Sequence, residues 1–231
     1  MDGNGRWAKE NKMPRISGHR KGVRTVQKIT KACGELGIKI LTLYTFSSEN
    51  WHRPEREVKA LMALFVESLK REIEKLMENN VKFTIIGNLS LLPDEVIAEL
   101  LEGIKVTNEN TGLNLNLAFS YGSQQEIVMA MQEIGEKIKT GILNTKEVDE
   151  KLISNHLYTK NLPNPDLLIR TGGEYRISNF LLWQLVYSEL YFTDKYWPDF
   201  SKSDLIKAIG EYQFRERRFG RISNQFKEKS V

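Results

Sequence analysis

The 231-residue sequence contains a single cysteine, Cys33, so no disulfide can form within the chain. Only three histidines occur, at positions 19, 52 and 156, and their wide spacing argues against a zinc site. No apolar run approaches the roughly 20 residues of a membrane span. The polar, glycine-rich start also lacks the pattern of a signal peptide. These absences predict a cytoplasmic protein.

Several catalytic motifs are missing as well. The chain has no Walker-type phosphate loop, no GxSxG nucleophile elbow and no Asp-Asp pair, which excludes a DDxxD metal cluster. The net charge of +4 comes from 34 basic and 30 acidic residues, too balanced to predict a nucleic-acid partner. The one basic excess, between positions 215 and 221, is interrupted by Glu216 and Phe219. It fits a solvated helix end better than a DNA-binding patch.

Apolar residues recur with helical and strand periods in alternation along the chain. This alternation predicts an α/β fold with a mostly parallel central sheet flanked by helices, in one domain over residues 1–231. A C-terminal tail from about residue 222 is expected to be flexible. The expected strands cover 38–46, 81–86, 113–119, 166–169 and 190–193. The expected helices cover 17–36, 55–79, 93–109, 122–139, 146–156, 179–186 and 203–217.

The segment Arg170–Ser178 is the most informative loop. It follows the buried strand 166–169, and ligands bind at the carboxyl ends of such strands. Gly172 and Gly173 allow a tight turn, and Arg170 and Arg176 suit phosphate oxygens. A helix beginning near residue 179 would add free N–H groups. Two interpretations remain open here: a phosphate site, or a surface loop whose arginines pair with Glu174 and nearby acids.

The first residues of the sequence have the composition of a loop, and no strand or helix is predicted before them. Gly3-x-Gly5-x-x-Ala8 matches a loose dinucleotide fingerprint, which is meaningful only after a strand and with an acid ending the next one. The strand 38–46 is followed by Ser47, so a nucleotide-binding oxidoreductase is disfavoured.

Polar loops at 47–53, 120–123 and 170–178, together with the opening residues, are expected at one edge of the sheet. They combine several arginines with a few carboxylates. This composition suits a diphosphate and a divalent cation, because Mg²⁺ takes oxygen ligands and often bridges to substrate phosphates.

With these segments assembled, the sequence resembles the cis-prenyltransferases, in particular those that make undecaprenyl diphosphate. The matching motifs occur in order over essentially the whole chain. They are MDGNGRW at 1–7, Gly18-His19, FSSENW at 46–51 with Arg53-Pro54, IRTGGE at 169–174, RISNFL at 176–181 and ELYF at 189–192.

The resemblance implies residue roles. Asp2 resembles an essential carboxylate that binds Mg²⁺ and meets the diphosphate, and Asn50 matches a candidate for proton abstraction. Glu189 resembles a second Mg²⁺ ligand, reached from the partner subunit in some descriptions of the family. The implied substrate-binding residues are Gly3, Asn4, Gly5, Arg6, Trp7, Arg15, His19, Ser47, Ser48, Glu49, Trp51, Arg53, Arg170, Arg176, Ile177 and Ser178. The opening residues would hold an allylic diphosphate, 47–53 would position the reacting ends, and the 170s loop would clamp isopentenyl diphosphate.

The implied reaction is the sequential condensation of isopentenyl diphosphate onto farnesyl diphosphate. It would yield a long-chain polyprenyl diphosphate such as undecaprenyl diphosphate, the lipid-carrier precursor for cell-wall synthesis. The resemblance also implies a homodimer, to which 215–220 would contribute, and loose membrane contact through the product. The growing chain needs an apolar channel. Candidate lining residues are Val23, Leu61, Leu64, Phe65 and Val81, for which ordinary core packing is the alternative.

Two features depart from the family pattern. Tyr175 stands where many relatives have histidine, which puts a metal or proton role at that position in doubt. Relatives also carry a hydrophobic strand before the position of Met1, so we expect a truncated start, an exposed sheet edge in its place and weak activity. A further alternative is a non-catalytic subunit of the same fold. Such subunits typically lack the opening aspartate and the arginine clamp, both of which are present here.

Overall fold

The computed structural model describes residues 1–216, so the expected flexible tail and the arginines at 217, 218 and 221 lie outside the described residues. Seven α-helices and five strands lie within this range, and one or two helices separate each strand from the next as far as β4. The helices are α1 (Asn4–Glu10), α2 (Arg15–Glu35), α3 (Glu55–Glu78), α4 (Asp94–Val106), α5 (Ser123–Lys139), α6 (Glu150–Ser154) and α7 (Lys202–Phe214). The strands are β1 (Ile40–Ser47), β2 (Lys82–Ile86), β3 (Asn114–Tyr121), β4 (Leu167–Arg170) and β5 (Glu189–Phe192).

Proline and glycine mark the helix boundaries. The helices α2, α3 and α4 each begin directly after a proline, Pro14, Pro54 and Pro93. Proline suits this position because its missing N–H has no partner in the first turn of a helix. Beyond the end of α2, Gly37 has a φ of 72°, the left-handed conformation that stops many helices.

All strand pairs are parallel, as the alternating pattern predicts. The described strands form two sheets, β1-β3-β2 and β4-β5, and not one sheet of five. Among residues 1–216, β1 and β4 therefore each pair on one side only. Sequence periodicity identifies strands but not their partners, and for this reason the division was not foreseen.

The three-stranded sheet is covered on both faces. Because side chains alternate along a strand, Leu115 and Leu117 point into the larger core beneath α2, α3 and α4. Ala118 points to the other face, where it packs in a second cluster with Phe180 and Leu181. The segment after β4 thus completes the core on the second face.

Three helix predictions need correction. Residues 4–10 form α1, although the opening was expected to be a loop. The expected helix at 179–186 is absent: the segment consists of turns, and Asn179 and Leu181 have φ values of 60° and 48°. The helix expected at 146–156 is reduced to α6 (Glu150–Ser154). The helix N–H groups expected near residue 179 are therefore not available to an anion.

None of the helices within residues 1–216 combines the length and the apolar character needed to cross a bilayer.

Candidate functional site

A cavity of about 1300 Å³ runs beside β1 from Ile40 to Ser47 and also contacts β4. Eight strand residues correspond to a length of about 26 Å. Its wall is mainly apolar and includes all five proposed channel residues, Val23, Leu61, Leu64, Phe65 and Val81. Its polar end is formed by the opening residues and by the ends of β1 and β4, which is the edge expected from the loop positions.

Asp2 lies at the centre of this polar end. Its Oδ1 accepts a hydrogen bond from the main-chain N–H of Gly3 at 2.6 Å, and its Oδ2 accepts one from Arg170 Nη2 at 3.0 Å. Arg6 Nη2 lies 3.3 Å from Oδ1. Gly172 has a φ of 92°, and a Cβ there would lie 2.8 Å from Arg6 Nη2. Glycine is therefore required for the 170s loop to approach the opening residues this closely.

Arg170 is held from several sides and is only 13% exposed. Besides Asp2, it donates through Nη1 to Ser178 Oγ at 2.8 Å and to the main-chain oxygen of Arg176. Glu174 bridges two further arginines, with Arg6 at 3.1 Å and Arg176 at 2.5 Å. The pairing with Glu174 is thus observed, and the arginines also converge at one place, while phosphate binding by this loop stays a prediction. We call this group the Arg170 cluster: Asp2, Arg6, Arg170, Glu174, Arg176 and Ser178.

Asp2 is ionised within the Arg170 cluster. Partial burial by itself raises its pKa. The hydrogen bonds from Arg170 and Gly3 and the charge of Arg6 outweigh burial, so the pKa lies below its usual value. A carboxylate held in this form can act as a cation ligand.

A second group of basic side chains faces the same cavity from α2 and from the segment after β1. Glu57 Oε1 lies 3.2 Å from Arg15 Nε and 3.1 Å from Arg53 Nη1, so one carboxylate is shared by two guanidinium groups. A Cβ on Gly5 would lie 3.1 Å from Arg15 Nε, which places this group against α1. We call Arg15, His19, Arg53 and Glu57 the Arg15 cluster.

His19 is neutral in this setting. Burial, followed by the charges of Arg53 and Arg15, lowers its pKa to about 4. Its Nε2 is buried and has no hydrogen-bond partner among residues 1–216. An unpartnered buried ring nitrogen among arginines at a cavity wall is suited to donate to an anionic ligand.

The segment after β1 is a short 3-10 helix, Ser48–His52. Asn50 lines the cavity, and its Oδ1 accepts a hydrogen bond from the Ser47 N–H at 3.2 Å. Glu49 also reaches the cavity and accepts a hydrogen bond from Asn179 Nδ2 at 2.7 Å. Trp51 turns away: its ring packs at 5.0 Å against Phe46, and its Nε1 donates to Ser120 Oγ at 3.0 Å.

The structure brings most of the expected residues together but separates three of them from the others: Trp51, Trp7 and Glu189. Trp7 is half-buried but does not line the cavity, and Lys21 Nζ of α2 is 4.2 Å from its ring centroid. Glu189 pairs with Leu167 at the start of β4, and Arg170 pairs with Phe192. Three residues of strand, about 10 Å, therefore separate Glu189 from the end where Asp2 lies. Glu189 instead pairs with Arg215 at 2.8 Å.

Some residues of the site were not foreseen. Buried Thr171 accepts from the Asp2 N–H at 3.0 Å and donates to the Asp2 carbonyl at 2.9 Å, which fixes the main chain of Asp2. The Tyr196 ring contacts Gly3 and has the Arg6 guanidinium 5.5 Å from its centroid. Thr171 lies within a recognised motif, which was a usable signal. Tyr196 carries no sequence signal.

Comparisons with known proteins agree with this geometry. A family described as "Putative undecaprenyl diphosphate synthase" matches residues 1–220. The isoprenyl transferase of Clostridium perfringens is 50% identical over 222 residues, covering 96% of this chain and 88% of the relative. That of Geobacter sulfurreducens is 50% identical over 230 residues, covering 100% and 94%.

Solved structures show the same similarity. The lavandulyl diphosphate synthase of Lavandula x intermedia, in complex with dimethylallyl diphosphate, has a TM-score of 0.92 and 37% identity, with 95% of each chain covered. A probable undecaprenyl diphosphate synthase from Campylobacter jejuni has a TM-score of 0.77 and 36% identity, covering 87% of this chain and 93% of that one. With this identity over nearly its full length, the chain belongs to the cis-prenyltransferase family and is an enzyme that transfers prenyl groups.

Proposed function

We propose that the protein elongates farnesyl diphosphate by successive condensations with isopentenyl diphosphate to give a long-chain product such as undecaprenyl diphosphate, the lipid-carrier precursor for the cell wall. The observation that carries this proposal is the position of two arginine clusters at the polar end of one long apolar cavity. Two diphosphate groups and a growing hydrocarbon chain require this combination of surfaces.

The two clusters divide the substrates between them. The Arg170 cluster, with Ile177 beside it, would bind isopentenyl diphosphate, because Arg170 and Arg176 present planar donors suited to phosphate oxygens. The Arg15 cluster, with the opening residues 3–6, would bind the allylic diphosphate. The related lavandulyl diphosphate synthase was crystallised with dimethylallyl diphosphate, an allylic diphosphate, which supports a site of this kind.

A magnesium ion fits at Asp2. Its carboxylate is ionised and lies between arginines that would contact the same phosphates. Within residues 1–216 no group of three or more His, Cys, Asp or Glu side chains is arranged to bind a metal. Asp2 would therefore share the ion with substrate phosphates, as is usual for Mg²⁺. When bound, the ion would neutralise negative charge on the diphosphate.

The chemistry then follows from placement and charge. The double bond of isopentenyl diphosphate attacks C1 of the allylic substrate, the C1–O bond breaks, and the diphosphate leaves with its electron pair. Guanidinium groups already in position stabilise the negative charge that develops on it. A proton is lost from C2 of the isopentenyl unit, and Asn50, which lines the cavity, is the proposed acceptor.

Other residues would contact the product or a second copy of the protein. The five channel residues would contact the growing chain. A second copy of the protein would pack against β5, where Val186, Tyr187 and Phe214 are exposed by 67%, 66% and 93%. Glu189 could act as a second Mg²⁺ ligand only toward such a copy, because its own Asp2 is too far away.

The test is incubation of the purified protein with radiolabelled isopentenyl diphosphate, farnesyl diphosphate and Mg²⁺, followed by reversed-phase chromatography. We expect labelled products longer than farnesyl diphosphate, formed only when all three components are present. Labelled product without an allylic primer, or none in the complete mixture, would contradict the proposal.

A further inference from the structure

Residues 120–123, the end of β3 and the start of α5, lie at the active edge, yet none of them contributes to the proposed substrate contacts. This junction contacts both substrate segments. A Cβ on Gly122 would lie 2.3 Å from Ser48 Oγ and 2.8 Å from Asn179 Nδ2. There is no room for one, so three segments of the chain converge at this glycine.

Asn179 makes most of the connections at this point. Its Oδ1 accepts a hydrogen bond from the Gln124 N–H at 2.8 Å, and its main-chain oxygen accepts one from the Ser123 N–H at 2.9 Å. Its Nδ2 donates to Glu49 Oε1 at 2.7 Å and to Gln125 Oε1 at 3.0 Å. One side chain therefore connects the 170s loop, the start of α5 and the 3-10 helix after β1.

The backbone at this position is unusual. Ser178 and Asn179 have φ values of 48° and 60°, in the left-handed region that most residues avoid. Asparagine tolerates this region better than other non-glycine residues. The adjacent Ser178 accepts the hydrogen bond from Arg170. The same backbone conformation therefore places Ser178 where Arg170 donates to it and allows Asn179 to hydrogen-bond to the start of α5.

We propose that Asn179 is a positioning residue that sets the placement of the Arg170 cluster relative to the segment 47–53, with the start of α5 as the rigid connection. This inference rests on the proposed function, in which these segments contact the two substrates. A condensation depends on how the two reacting carbons are placed, and a misplacement of 1 Å can lower the rate about a hundredfold. The loss of Asn179 should therefore affect turnover more than the affinity for either substrate.

The variant Asn179→Gly removes the amide but keeps the backbone free to adopt a positive φ. With both substrates saturating, we expect kcat to fall about thirtyfold, within the range for a small misplacement, while each KM stays within threefold. The Tm should change little, because partly exposed hydrogen bonds contribute little to stability. The matched control is Asn80→Gly: Asn80 has a φ of 53° and is hydrogen-bonded to Thr111, in a loop between α3 and β2.

The control should keep its kcat. A rise in the KM for isopentenyl diphosphate alone would reduce Asn179 to a local substrate contact and overturn the proposal. An equal loss of kcat in Asn80→Gly would also overturn it, because the effect would then be a general one.

Hydrogen–deuterium exchange tests the connection without catalysis. In Asn179→Gly we expect faster exchange in peptides covering 47–53, which are distant in sequence from the substitution. Unchanged exchange in that segment would refute the positioning role. If the wild-type protein fails to condense the two substrates, the proposed function is wrong, while the exchange result still decides whether Asn179 couples the two segments.

Discussion

The Arg170 cluster and the Arg15 cluster both adjoin the opening residues and both line the same cavity, but their charges are balanced differently. The first holds three guanidinium groups against two carboxylates, in a chain of contacts through Asp2 and Glu174. The second holds two guanidinium groups against Glu57 alone, beside a histidine that is neutral. The net charge is nevertheless the same, because each cluster has one positive charge in excess.

The difference lies in how firmly one arginine of each cluster is held, Arg170 in the first and Arg15 in the second. Arg170 is 13% exposed and bonded to three partners, whereas Arg15 is 59% exposed with one carboxylate contact. A donor that is fixed before a ligand arrives orients that ligand more precisely than a donor that the ligand must order. We therefore expect Arg170 to contribute mainly to placing isopentenyl diphosphate for the attack, and Arg15 to contribute mainly to the capture of the allylic substrate.

The largest expected effect is at Asp2, through which the cation and the arginines are connected. In Asp2→Ala we expect kcat to fall about a thousandfold, the upper end for one electrostatic group, because the proposed Mg²⁺ ligand is lost. Steady-state condensation rates at saturating Mg²⁺ measure this. The control Asp199→Ala, which removes a surface pair with Lys21, should stay within twofold of wild type. Activity within tenfold of wild type in Asp2→Ala would refute the assignment.

Arg170 should follow. Lysine in Arg170→Lys cannot reach Asp2 and Ser178 at once, so we expect kcat/KM for isopentenyl diphosphate to fall about a hundredfold, or about 3 kcal/mol. Initial rates at varied isopentenyl diphosphate measure the effect. Arg71→Lys, at an exposed pair with Glu67, is the control and should show no change. If the loss appeared only in the KM for the allylic substrate, the division between the two clusters would be wrong.

The Arg15 cluster contains a histidine, His19, whose protonation should make the stability of the protein depend on pH. The unfolded histidine is protonated below about pH 6.5, whereas the folded one stays neutral until about pH 4. The unfolded state binds more protons in this window, so the free energy of unfolding should fall as the pH drops from 6.5 to 4, by roughly 2 kcal/mol. Urea unfolding at several pH values measures this.

In His19→Gln the part of this fall in the free energy of unfolding that His19 contributes should disappear. The exposed histidine at position 52 supplies the matched control, since His52→Gln should keep it. An identical pH dependence in wild type and His19→Gln would show that the buried ring does not resist protonation.

Much of this arrangement was predictable because it depends on local signals. Apolar periods located α2, α3 and α4, and polar residues after strands located the 47–53 and 170–178 loops. The segment 179–186 misled because its apolar run resembles a helix face. Its residues instead cap the second core cluster, with Phe180 stacked 4.4 Å from Tyr44. Tertiary packing there overrides local propensity.

Other features depend on contacts between distant residues. The composition of 4–10 does not predict a helix. In the structure, α1 buries only Ala8, and its N-cap, Gly3, has a φ of 98°. Strand partners cannot be read from periodicity, so the division into two sheets was missed. The pairing of Glu174 with arginines on both sides was an open alternative, and only the fold shows that it coexists with a convergent site.

The smallest expected effect on activity is at Arg15, and it tests the role predicted for the more exposed of the two arginines. In Arg15→Ala we expect the KM for farnesyl diphosphate to rise about tenfold with kcat unchanged, because exposed charges interact weakly. The increase should shrink in high salt, since screening already weakens the wild-type interaction. Lys59→Ala, at an exposed pair with Glu55 on α3, is the control. A fall in kcat would instead mean that Arg15 acts on the leaving diphosphate in the chemical step, and that its exposure does not confine it to substrate capture.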